Sequence, residues 1–252
     1  MLKVEKLTAK IENKVIIKDI SFEIKENEIL MVIGPNGAGK TTLIKAIMEN
    51  IKHTGKAWIN GKDISKISSL ELAKQIGVLT QTHFQQYSFT VYEVVSLGRY
   101  AHQKGMFSKL SKPDEEKINE ALRLTGTHHL KDRSVLTLSG GELQRIFLAA
   151  VFAQDPKILI LDEPANHLDL QYQIGIFDAL KEWVKGEGRS VLAIVHDLNV
   201  VYSYGSKALL LYRGEVFAYG GADEVLKREN LKEVYEVDVA EWMQNLLKHW
   251  QK

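Results

Sequence analysis

The stretch Ile29-Leu30-Met31-Val32-Ile33-Gly34-Pro35-Asn36-Gly37-Ala38-Gly39-Lys40-Thr41-Thr42 reads as a buried strand running straight into a glycine-rich turn. Five apolar residues without a polar interruption suit a strand covered on both faces, as in a parallel sheet flanked by helices. The turn satisfies G-x-x-x-x-G-K-[ST] from Gly34 to Thr41. Glycines at this spacing let successive backbone N–H groups point inward at phosphate oxygens. A helix expected from about Lys40 to Met48 adds its unpaired N-terminal N–H groups and the positive end of its dipole. Lys40 can then reach the β- and γ-phosphates of a nucleoside triphosphate, and Thr41 offers Mg²⁺ a hydroxyl. The reading is an α/β fold that holds a triphosphate, with ATP the expected nucleotide.

Two further apolar runs of the same kind lie far downstream, at Ile158–Leu161 and Val191–Val195. Each ends in polar residues, Asp162-Glu163 and His196-Asp197, and open α/β sheets bind ligands at the carboxyl ends of their strands. The polar tips are therefore expected to converge. Val15–Ile17 and Ile20–Ile24 read as short strands of an N-terminal β region, split by Lys18-Asp19. Between about Phe84 and Thr137 the buried runs stop and helical periodicity takes over, as in Asp114 to Thr125, with Pro113, Asp114 and Glu115 as a start signal. We expect an α/β core over about 1–83 and 138–221, a helical subdomain inserted over about 84–137, and a helical tail over about 222–252 that ends in an amphipathic helix from Trp242 to Trp250.

Asp162 at a buried strand end suits Mg²⁺, which keeps part of its water shell, and Glu163 could polarise an attacking water; a charged turn capping a strand is the alternative. Leu138-Ser139-Gly140-Gly141-Glu142 precedes an apparent helix, Leu143 to Ala153. It is either a second anion cradle, which one triphosphate does not need unless two subunits share the ligand, or an ordinary N-cap at Ser139.

Lys and Arg number 33 against 32 Asp and Glu, a net charge of +1. No global field draws the chain to nucleic acid, and none is expected as a partner. There is no cysteine, which excludes disulfides, thiolate metal sites and cysteine nucleophiles. The N-terminus lacks the pattern of a signal peptide, and charges break every apolar run short of the roughly 18 residues of a membrane helix. A cytoplasmic protein is expected, reaching a membrane only through a partner.

In this order the motifs resemble the nucleotide-binding subunit of ATP-binding cassette (ABC) proteins, and the resemblance covers almost the whole chain. It implies the P-loop NTPase fold of that family's ATPase domain. Gly34 to Thr42 (Gly34, Pro35, Asn36, Gly37, Ala38, Gly39, Lys40, Thr41, Thr42) resembles Walker A, and Ile158–Glu163 resembles Walker B with Glu163 as catalytic base. Leu138–Glu142 is similar to the LSGGQ signature, Glu142 standing at its last position. By the same resemblance Gln81 is the Q-loop glutamine that senses Mg²⁺ and the attacking water, His196 the switch histidine, and Asn166-His167-Leu168-Asp169 the D-loop, with Asp169 along a dimer seam. The family implies ATP and Mg²⁺ as cofactors and two copies packed head to tail, each ATP lying between one phosphate loop and the other copy's signature. The register departs from the family at Ile11, where adenine usually meets an aromatic ring; Ile11, with Val15, could cover the base by dispersion but has no π-face.

Phe89-Thr90-Val91-Tyr92-Glu93-Val94-Val95-Ser96-Leu97-Gly98-Arg99-Tyr100-Ala101-His102 resembles a run in the cassettes of ferric siderophore, haem and cobalamin importers. That resemblance implies transmembrane permease subunits and, indirectly, a solute-binding protein as partners, and a peripheral place on the inner face of the cell membrane. Docking is expected on His83, Phe84, Gln85, Gln86 and Tyr87. Zinc or manganese import and a soluble, non-transport ATPase are the alternatives.

Overall fold

Strand β3 (Ile29–Ile33) lies near the middle of a six-stranded sheet in the computed structural model, which describes residues 1–80, 88–103, 109–166 and 168–250, residues 249 and 250 by backbone alone. Its neighbours are β8 (Ser190–Ile194) and β9 (Lys207–Tyr212), both parallel to it. Beyond β8 come β7 (Ile158–Asp162) and β6 (Ile76–Leu79), also parallel. Strand β10 (Glu215–Gly220) closes the other edge antiparallel to β9. A second, antiparallel sheet carries β2 (Lys14–Ile24), β1 (Leu2–Ile11), β4 (His53–Ile59) and β5 (Lys62–Asp63) in that order.

The unbroken apolar runs follow from burial on both faces. Ile29, Met31 and Ile33 of β3, Leu159 and Leu161 of β7, and Val191 and Ala193 of β8 enter one core. Leu30 and Val32, Ile158 and Ile160, and Leu192 and Ile194 alternate into the other. Side chains alternate along a strand, so between two cores the interior positions are apolar and the buried polar residues, Ser190 and Asp162, fall at strand ends. The second core holds the antiparallel sheet and α1 (Lys40–Ile47), through Leu43, Ile44, Ala46 and Ile47. The first holds the helical layer: α3 (Val91–Ser96), α4 (Lys112–Leu124), α5 (Gly140–Ala153), α6 (Leu170–Trp183) and α7 (Leu198–Tyr204). Short helix α2 (Ser69–Gln75) leads into β6. The chain ends in α8 (Ala222–Val225), α9 (Arg228–Tyr235) and α10 (Val239–Trp250). Among the described residues no helix is long and apolar enough to cross a membrane.

Three expectations on element bounds shift. β2 is not split at Lys18-Asp19. Asp19 sits at φ 55 and the register with β1 slips between Leu7 and Ala9, so a bulge takes up the charged pair without ending the strand. Helix α5 begins at Gly140 rather than Leu143, because Ser139 and Glu142 form a reciprocal capping box that outweighs the poor helix propensity of two glycines. The last helix starts at Val239, since Val239 and Met243 pack on the first core.

The Gly98–His102 run ties the helical layer together. Arg99, 7% exposed, donates through Nη1 to the Ala153 carbonyl at 2.7 Å and through Nε to Asp114 Oδ1 at 2.8 Å. His102 Nε2 lies 2.8 Å from the Gln154 carbonyl. Both side chains thus satisfy carbonyls that the end of α5 leaves open. Hydrogen bonds from Ser111, then the Arg99 guanidinium, outweigh burial and hold the Asp114 carboxyl down to about 2. A carboxylate depressed on folding contributes stability above its unfolded pKa and loses it as pH falls through the folded value. Asp114→Asn is therefore expected to cost about 3 kcal/mol at neutral pH by stranding Arg99. In urea unfolding, the gap to the parent chain should close as pH drops below the ordinary carboxylate range.

Candidate active site

The end of β3 and the start of α1 carry the glycine loop. Gly34 (φ +144) and Gly39 (φ +98) take left-handed conformations in close quarters: a Cβ would stand 2.2 Å from the Leu211 carbonyl oxygen at the first and 2.5 Å from Ile17 Cγ2 at the second. Only glycine lets the loop lie this flat. Helix α1 has no side-chain cap at Gly39 and no acidic residue in its first turn, whereas α3, α4 and α5 each begin with a complete capping box. Its first N–H groups and positive dipole end are thus left for an anion. Lys40, 7% exposed, folds back so that Nζ donates to the carbonyls of Gly34 at 2.7 Å and Pro35 at 3.0 Å. Burial lowers its pKa, against the pull of Glu163 and Asp162. A buried ammonium whose hydrogen bonds among the described residues go to carbonyls suits a triphosphate's charge.

Asp162 ends β7 beside this loop. Its Oδ1 lies 3.5 Å from the Thr41 hydroxyl, two hard oxygens facing each other as Mg²⁺ requires. Burial raises the pKa of Asp162, the Thr41 bond working the other way. A bound cation would remove that penalty.

Glu163 takes φ 54, uncommon for a residue with a Cβ, and its N–H donates to the Ile194 carbonyl at the end of β8. That backbone turn brings its carboxylate to the next strand's polar tip. His196 Nε2 lies 2.6 Å from Glu163 Oε1, and Asn166 Nδ2 donates to Oε2 at 2.6 Å. An ionised carboxylate only accepts, so Nε2 of His196 carries the proton in this contact. Burial pushes the Glu163 pKa up, but the bonds from His196 and Asn166 and the charge of Lys40 bring it below the ordinary value. Glu163 is thus held ionised, as an acceptor of a water's proton must be.

A cavity of about 600 Å³ opens along these groups, lined by Thr41, Lys45, Val78, Thr80, Asp162 and Glu163 among others. The structure therefore brings together Gly34 to Thr42, Asp162, Glu163 and His196. It does not bring Ser139, Gly140, Gly141 and Glu142 to them. These sit at the N-terminus of α5, which packs on α3, α4, α6 and β6, whereas α1 packs on β1, β2, β4 and β7. Within one chain the N-cap reading of Ser139 holds, and Ser139 and Gly140 are exposed to solvent. Asp169 precedes α6 and is exposed. Ile11 and Val15 are 43% and 44% exposed near the β1–β2 turn, and the neighbouring Ile16 and Ile17 pack against Gly39. Gln81 and the expected docking residues His83, Phe84, Gln85, Gln86 and Tyr87 lie outside the described residues, as does His167. Sequence reasoning missed the grip of Asn166 on Glu163; an amide three residues past a carboxylate was the available signal.

Removing the ammonium by Lys40→Ala is expected to weaken binding of a nucleoside triphosphate by about 100-fold or more. Titration calorimetry showing the parent affinity would contradict this use of the loop.

Comparison with known proteins agrees with this geometry. The family model for ABC transporters matches residues 17–166. The iron(3+)-hydroxamate import ATP-binding protein FhuC of Bacillus subtilis (strain 168) is 37% identical over 238 residues, covering 94% of this chain and 88% of that protein. The ferric enterobactin transport ATP-binding protein FepC of Escherichia coli (strain K12) is 36% identical over 235 residues, covering 93% and 86%. Among solved structures, an inward-facing metal-chelate type ABC transporter superposes with a TM-score of 0.81 at 27% identity, covering 94% of this chain and 89% of that one. The loop, the strand-end acids and the matched length have one common explanation: this chain belongs to the ABC transporter family and is an ATPase that uses ATP and Mg²⁺.

Proposed function

We propose that the chain powers import of an iron chelate of the siderophore class, with haem and cobalamin as the neighbouring cargoes. It would act as one of two identical ATPase subunits docked on transmembrane permease subunits at the inner face of the membrane, cargo arriving through a solute-binding protein. The observation that carries this reading is the near full-length similarity, at 37% and 36% identity, to ATP-binding proteins named for hydroxamate and enterobactin iron transport.

In the proposed mechanism Lys40 leaves the Gly34 and Pro35 carbonyls for the β- and γ-phosphate oxygens, while the loop from Gly34 to Thr42 holds the rest of the triphosphate. Thr41, Asp162 and Gln81 would hold Mg²⁺, which when bound neutralises phosphate charge and orients the reacting group. Glu163 takes the proton of the attacking water, and Gln81 orients that water. His196, its Nε2 proton now turned from Glu163, donates to a γ-phosphate oxygen. Ile11 lies over the base. Ser139, Gly140, Gly141 and Glu142 of the second copy close the site, with Asp169 along the seam. The triphosphate then touches both copies, so its hydrolysis removes the contacts that hold them together. We also take the chain as a core over 1–83 and 138–221, a helical unit over 84–137 and a tail over 222–252. The described part of 84–137 supports this, since it holds α3, α4 and short 3-10 turns and no strand.

Glu163→Gln is expected to keep ATP binding, stop turnover and trap an ATP-dependent dimer, read by size-exclusion chromatography with ATP and Mg²⁺. A variant that stays monomeric and hydrolyses ATP normally would sink the shared-site mechanism. Affinity capture of the tagged chain should bring down an integral membrane protein; ribosomes or nucleic acid instead would overturn the transport reading.

A further inference from the structure

The start of α5, which the proposed mechanism lends to the other copy's nucleotide, is bonded within its own chain to the turn that carries Glu163. Gln144, one turn into α5, donates from Nε2 to the Pro164 carbonyl at 2.9 Å. Pro164 directly follows Glu163 and opens a turn closed by the Asn166 N–H on the Glu163 carbonyl. Asn166 then reaches back with Nδ2 to Glu163 Oε2 at 2.6 Å. At the far end of the segment, Gln173 of α6 donates to the Leu168 carbonyl at 2.8 Å. Beside these bonds Tyr172 of α6 lies against Gly141, where a Cβ would stand 2.5 Å from the ring. The Arg145 guanidinium sits 5.0 Å from the same ring and donates to the Thr125 carbonyl.

We propose that Gln144 is a positioning residue for Glu163: through the Pro164 carbonyl and Asn166 it sets the carboxylate according to where α5 stands. This rests on the shared-site reading above. A helix is stiff over one turn, so displacement of Ser139 to Glu142 on meeting the other copy's triphosphate carries Gln144 with it. The Pro164 carbonyl follows its only side-chain donor among the described residues. Asn166 transmits the shift to Oε2, the oxygen that His196 does not hold. Each subunit's Glu163 thereby reports whether that subunit's own signature has engaged the opposite nucleotide, and the two hydrolysis events are coupled. Packing of Tyr172 on Gly141 keeps α6 and α5 moving together, so the turn is carried from both ends.

The test is Gln144→Met, which keeps the side-chain length and removes the donor, with Gln144→Glu as a polar variant of equal size. In both, ATPase assays are expected to show kcat down about tenfold, the scale of a misplaced catalytic group, with KM within about twofold. The double variant Gln144→Met with Glu163→Gln should still form the ATP-dependent dimer at the ATP concentration that suffices for Glu163→Gln alone. An unchanged kcat in both Gln144 variants, with that dimer intact, overturns this inference and leaves the shared site standing. Loss of the dimer in the double variant overturns it too, because Gln144 would then serve binding rather than orientation. If Glu163→Gln alone fails to dimerise, the shared-site reading falls and takes this inference with it.

Discussion

Burial of the central strands on both faces is the constraint from which the site follows. β3, β7 and β8 each lie between two apolar cores, so no side chain along them can be polar without losing its water. The polar residues these segments carry are displaced to the strand ends, and because the strands are parallel and adjacent, those ends stand side by side. Gly34, Asp162 and the Val195-His196 tip are neighbours for that reason. A parallel sheet thus concentrates charge at one edge while its interior stays dry, and the low dielectric beside that edge shifts Lys40 and Asp162 towards their neutral forms.

Within that edge, the groups that would meet a nucleotide already have partners in their own chain. Lys40 is folded onto loop carbonyls, Thr41 faces Asp162, and Glu163 is gripped by His196 and Asn166. The contacts are polar and preorganise the site, with Lys40 and Asp162 buried while Thr41, Asn166 and His196 face solvent. For Lys40, binding exchanges internal hydrogen bonds to the Gly34 and Pro35 carbonyls for new ones, so the net gain there rests on charge more than on the number of bonds. The contrast between α1 and α5 fits this division. The first leaves its N-terminal donors to a ligand; the second satisfies its own through Ser139 and Glu142.

The fold and half of the site could be read from the sequence because their signals are local. A five-residue apolar run, a glycine turn and a lysine within fourteen positions specify strand, loop and helix together, and Asp162-Glu163 follows its strand directly. What escaped depends on backbone geometry or on partners distant in sequence. Glu163 reaches His196 only because it adopts φ 54 and bonds across to β8, and nothing in the residues around it announces that conformation. The bond from Gln144 to Pro164 joins segments 20 positions apart. The run from Phe89 to His102 carries a family resemblance, yet within it Arg99 and His102 hold the end of α5. The start of α5 is hidden for a local reason: paired glycines resemble a loop, and only the reciprocal bonds of Ser139 and Glu142 bring the helix back to Gly140.

The separation of the two cores has an evolutionary side. Lys40 and Thr41 ride on a helix packed in the core shared with the antiparallel sheet, whereas the helical layer fills the core on the other face of the six-stranded sheet. A substitution inside the helical layer alters the packing volume of its own core and reaches Lys40 and Thr41 only across the sheet. Changes at the surface of that layer can therefore accumulate without repacking the helix that carries Lys40 and Thr41. The helix that carries the phosphate loop and the layer on the far side are insulated from each other by a sheet, so the exterior of one can change without repacking the other.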